Sequence, residues 1–143
     1  MLVSGCASSA SAPLPQNPSP GEALYRLAKT ADGGSLIFGG GIDASNNALK
    51  YGGDSKKVGN GACANCHGDH AQGGSGPAIS WKRLTKKTLW FNSPKYVYTT
   101  PAQVSAAILG GVRPDGSKLS PAMPRYATTD VDLQALFTYL KAQ

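Results

Sequence analysis

Helical periodicity of apolar positions is confined to short stretches of this chain. In Glu22–Lys29 (EALYRLAK), Leu24, Leu27 and Ala28 recur at i, i+3 and i+4, which predicts a helix of a turn or two. Gly33–Phe38 (GGSLIF) ends in a short apolar burst that Gly39–Gly41 closes, and residues 42–62 read as a polar loop dense in Gly, Asn, Asp and Ser. Pro101–Leu109 predicts a second helix, opened by Pro101, with Val104, Ala107 and Ile108 on one face and Gly110-Gly111 at its end. Residues 112–126 form a loop stiffened by three prolines and a Pro-Asp-Gly turn. The clearest helix is the last: Thr129 with Asp132 resembles a capping box, and Leu133, Leu136, Phe137 and Leu140 make one apolar stripe. Short helices, long loops and few strand signals suit an all-α domain packed around something.

Residues 7–20 hold four of the ten prolines and no apolar period, so they read as a tether. The organisation predicted is a tail over 1–21 and one domain over 22–143, with a Gly/Asn-rich loop at about 39–60. At 143 residues the core is small, so a large apolar cofactor at its centre would help the chain considerably.

Composition narrows the function classes. The formal charge is +6, from 14 Lys/Arg against 8 Asp/Glu, which implies a soluble basic surface or docking to an acidic partner. There is no Lys/Arg-rich run, aromatic-interleaved basic stripe or nucleic-acid module, so nucleic-acid binding is not expected. No stretch reaches the roughly 18 apolar residues of a membrane-spanning helix. Three cysteines leave one over from any pairing, so they make no disulfide framework.

Two of those cysteines and both histidines fall within Cys63–His70. Cys63-Ala64-Asn65-Cys66-His67 has the spacing of a c-type haem attachment site: two thiols at i and i+3 and an imidazole at i+4 share one side of a helical turn. Zinc would want a second Cys/His pair, and a thioredoxin-like site a βαβ context; neither is present. A single covalent haem c through Cys63 and Cys66, with His67 on the iron, is therefore expected. For the opposite axial position His70 follows His67 too closely to pass around the macrocycle, and Met1 is in the tail. Met123 remains, the internal methionine between Pro121 and Pro124. A His/Met pair is an electron-transfer ligation.

These residues, together with "CANCHG" and "GGVRPDG…MPRY", make the chain resemble a bacterial class I monohaem cytochrome c over roughly residues 33–142. The resemblance implies a fold of short helices and long loops around the haem, with N- and C-terminal helices crossing beside it. It implies that Pro77 offers its carbonyl to the His67 ring and that Ile79 lines the haem pocket. Of two segments similar to the family's N-terminal helix, GEALY (21–25) and GSLIF (34–38), the second is favoured, with 39–60 as an insertion. Trp81, Trp90 and Tyr98 could reach haem propionates or simply pack in the core. Lys82, Arg83, Lys86 and Lys87 are either a solvated face or a docking patch. The resemblance implies an electron carrier rather than an enzyme, serving redox protein partners such as an oxidase or dehydrogenase with an acidic docking surface. The alternatives are a haem subunit bound permanently to a larger dehydrogenase or oxidase, and a gas-binding or peroxidatic protein if Met123 is labile. Leu2–Cys6 resembles a bacterial lipobox, which would place a lipid on Cys6 and the domain at the periplasmic or outer face of a bacterial membrane, although the basic and apolar regions of a signal peptide do not precede it.

Overall fold

The computed structural model describes residues 13–39, 61–86, 97–120 and 123–143. Helix α1 spans Pro20–Leu27: Ser19 caps it by accepting from the Glu22 N–H at 3.2 Å, and Pro20 supplies the preset φ of a first helical residue. It therefore starts two positions before the predicted Glu22. Its chain reverses at Ala28, in the left-handed region at φ 55°.

Strand β1 (Ile37–Gly39) pairs antiparallel with β2 (Arg125–Ala127), in the register Ile37↔Ala127, Phe38↔Tyr126 and Gly39↔Arg125. This corrects the choice between the two N-terminal segments. GSLIF is a ladder strand and GEALY is the helix, because the apolar burst of GSLIF stops at glycines on both sides and never completes a helical face. The remaining elements are the single turns α2 (Ala64–His67) and α3 (Trp81–Leu84), then α4 (Pro101–Gly110) and α5 (Asp130–Lys141). Helix α4 opens on a Thr100/Gln103 capping box and closes at Gly111, φ 64°. Apart from its two-stranded ladder the described domain is helical, as expected.

Helices α1 and α5 form the main packing pair. Gly21 lets the backbones touch: a Cβ there would fall on the Ala135 carbonyl and stand 2.8 Å from the Tyr139 Cβ. The Tyr25 and Tyr139 rings pack alongside at a centroid separation of 5.0 Å. The α5 stripe divides between two clusters. Leu136 and Leu140 join Leu24, Tyr25, Leu36 and Tyr126; Leu133 and Phe137 join Tyr98, Val104 and Ala107, with Trp81 against them. So α1 packs beside Leu136 and Leu140, while α3 and α4 cover Leu133 and Phe137. Among the described residues no helix is long and apolar enough to cross a membrane.

Candidate functional site

Between the two clusters lies a cavity of about 850 Å³, with apolar residues of both on its walls, among them Leu24, Leu36, Val104, Leu133, Leu136 and Leu140. Cys63, Cys66 and His67 line it together, as the one-turn spacing requires. The His67 N–H bonds to the Cys63 carbonyl at 2.9 Å, and Gly68, φ 79°, turns the chain out of the helix. No disulfide joins Cys63 and Cys66. Burial pushes the Cys63 thiol up to about 12, the reverse of the lowered pKa that marks a redox-active cysteine. Among the described residues no group of three His, Cys, Asp or Glu side chains is gathered so as to hold a metal ion.

The loop after α2 holds the imidazole. The Gly73 N–H bonds to His67 O at 2.8 Å and the Gly76 N–H to Cys66 O at 2.7 Å, which folds the loop back on the ring. Pro77 O then lies 2.7 Å from His67 Nδ1. Gly76 permits this approach, since a Cβ there would stand 2.9 Å from the His67 Cε1. An imidazole donating from Nδ1 keeps the Nε2 lone pair for a metal. His67 is only 8 % exposed; burial lowers its pKa more than the Pro77 carbonyl raises it, which favours the neutral, ligating form. His70 is exposed, with its ring 3.2 Å from Gln143 Oε1, and lies away from the cavity walls.

Three tyrosines that sequence reasoning did not single out brace this segment. Tyr126 donates to Gly61 O at 2.7 Å, Tyr25 to Gly68 O at 2.8 Å and Tyr139 to Asp69 O at 2.6 Å. Carbonyls on both sides of Cys63–His67 are thus tied to β2, α1 and α5. Burial raises the pKa of the Tyr25 and Tyr139 phenols, so both remain donors at neutral pH. Both lie in segments that the sequence marks as helical, but neither is on the apolar stripe read there, and their long-range partners leave no local signal.

Met123 lines the same cavity, with Leu119, Ser120 and Pro124 beside it, and Ile79 and Pro77 are also on its wall. Thus the structure brings Cys63, Cys66, His67, Pro77, Ile79 and Met123 around one space. Tyr98 lines it as well, whereas Trp81 packs against Phe137 with Lys141 Nζ 5.1 Å over its ring, off the cavity walls. Arg83, Lys86 and Arg113 reach the cavity, and Lys82 is exposed next to them. Cys6, Trp90, Lys87, Pro121 and the loop at 40–60 lie outside the described residues.

The donor set fits the group that the spacing implies. A haem needs a large apolar slot, two thiols and an imidazole on one wall, and a neutral second ligand; cavities of several hundred Å³ are of cofactor size. The family profile described as Cytochrome c matches residues 54–143, more than half of the chain. No curated protein and no solved structure matches the chain.

Proposed function

The chain therefore belongs to the cytochrome c family, which implies haem-based electron transfer, and on that premise we propose that it carries single electrons between redox proteins, with His67 and Met123 as axial ligands. The observation that carries the reading is the lining of one apolar cavity by Cys63, Cys66, His67 and Met123, with His67 oriented by Pro77. When bound through the two thiols, haem c supplies a one-electron couple.

The chain's own part is to bind, orient and insulate. Pro77 holds the His67 tautomer that can ligate, and Gly76 gives the ring its place. Leu24, Leu36, Leu133, Leu136 and Leu140 exclude water, so a change of charge in the cavity meets little solvent reorganisation. A neutral thioether from Met123 favours the reduced state and raises the potential. Arg83, Lys86 and Arg113 at the cavity, with Lys82 nearby, present positive charge to an acidic partner surface, which raises the rate of encounter. The carrier works at the periplasmic or outer face of a bacterial membrane, tethered by a lipid on Cys6; the lipobox-like Leu2–Cys6 and the uncharged tail behind it support that placement.

Visible spectra of the holoprotein, oxidised and reduced, with and without carbon monoxide, test this reading in wild type and Met123→Ala. The expected result is a low-spin spectrum indifferent to carbon monoxide in wild type and responsive in the variant. Ready binding of carbon monoxide by wild type would sink His/Met ligation and turn the assignment to a gas-binding or peroxidatic protein.

A further inference from the structure

The segment that carries Met123 leaves α4 at Gly111 and rejoins regular structure at Arg125. Its first half bonds to itself: Arg113 N–H to Ser117 O at 2.8 Å, Leu119 N–H to Gly111 O at 2.8 Å, and Ser117 N–H to the Asp115 carboxylate at 2.9 Å. Beyond Leu119, the Met123 N–H bonds to Ser120 O at 3.1 Å. The Arg125 side chain bonds to two carbonyls of this segment. Its Nη1 donates to Met123 O at 2.6 Å and its Nη2 to Leu119 O at 3.2 Å.

Both ends of Arg125 are anchored. Its backbone stands opposite Gly39 in the β1–β2 ladder. Its guanidinium lies across Gly111 at the end of α4, so close that a Cβ on Gly111 would collide with it. Arg125 is not among the described residues that line the cavity, and it meets the site's loop through the Leu119 and Met123 carbonyls.

We propose that Arg125 is a positioning residue for the sixth ligand: its planar fork ties Leu119 and Met123 to the end of α4 and so presents the Met123 thioether to the cavity. The proposal rests on the His67/Met123 ligation proposed above. The chemistry suits arginine, whose rigid paired donors span two carbonyls at once, whereas lysine offers one mobile point charge. Charge-assisted hydrogen bonds are the strong ones, and losing one that bridges a loop releases the loop's conformational freedom.

The test compares holoprotein of wild type, Arg125→Lys, Arg125→Met and Met123→Ala. It reads the fraction that binds carbon monoxide, the pH at which the thioether–iron charge-transfer band disappears, the reduction potential, and the thermal transition of the far-ultraviolet helix signal. Arg125→Met is expected to raise the carbon-monoxide-reactive fraction about tenfold or more. Its charge-transfer band should vanish closer to neutral pH and its potential fall, while the helix signal still melts as a cooperative transition well above the temperature at which the band is lost. Arg125→Lys should recover part of the band. If Arg125→Met keeps the wild-type band and carbon monoxide behaviour, or if its band and helix signal vanish together, the positioning role is overturned. Met123→Ala separates the two proposals. If it opens the sixth site while Arg125→Met does not, only the positioning role fails; if it leaves the spectrum unchanged, the ligation and the positioning role fail together.

Discussion

Asp132 sits in the first turn of α5 at 4 % exposure and accepts three hydrogen bonds, from Ala31 N–H at 2.7 Å, Thr128 Oγ1 at 2.8 Å and Thr129 Oγ1 at 2.9 Å. Burial alone would raise its pKa, but these donors outweigh it and the carboxyl titrates below its ordinary value. A carboxylate lowered in the folded state lends stability in full above its unfolded pKa, about 4, and that stability is lost as pH falls through the lower folded value. Asp132→Ala is accordingly expected to cost about 1–3 kcal/mol at pH 7. The gap from wild type should narrow below about pH 4, as chemical denaturation across pH would register. The capping role of Asp132 toward Thr129 was legible in the sequence. Its bond to Ala31 was not, because nothing local links positions so far apart.

The α1–α5 pair depends on a close crossing that a single glycine allows. At Gly21 any side chain meets the Ala135 carbonyl, which is backbone and has nowhere to rotate. Gly21→Leu is expected to force the helices apart and lower stability by about 1–3 kcal/mol or more, with loss of near-ultraviolet signal from the packed Tyr25 and Tyr139. A wild-type thermal midpoint in that variant would show that the crossing does not carry the fold. The same pair explains why the segment with the longer apolar face became the N-terminal helix. GEALY has a cap, a starting proline and an i,i+4 ion pair between Glu22 and Arg26 at 3.0 Å. GSLIF has none of these, and its extended backbone pairs with β2, which in turn holds Arg125 and Tyr126 in place. Helices α4 and α5 were legible from their period and caps.

Among the described residues, both apolar clusters face one cavity of about 850 Å³, of cofactor size. Apolar walls of this extent are costly to expose to water, so a haem of the kind the family implies would add to stability by covering them. A Cys63→Ala/Cys66→Ala variant purified without haem is expected to show reduced helix signal and no cooperative thermal transition. A sharp melt with native-like helix content in that variant would overturn this account. On this account cofactor binding and folding are coupled, since a haem held by Cys63 and Cys66 would cover walls contributed by both clusters.

Local chemistry was readable directly. The spacing of Cys63, Cys66 and His67, the Pro101 start and glycine end of α4, the Thr129 cap of α5 and the lone internal Met123 are properties of neighbouring positions, and helical geometry translates them without further information. What folding alone settled is long-range: which of the two N-terminal segments stands as the helix and which as a strand, the three tyrosine hydroxyls that hold the carbonyls around the attachment turn, and the reach of Arg125 over Gly111; the approach of Pro77 to His67 was already implied by the family resemblance. Each joins residues whose separation along the chain carries no energetic signal. Their free energy exists only once packing has excluded water and brought donors to acceptors, and short glycine-rich segments have too little intrinsic preference to declare that outcome beforehand.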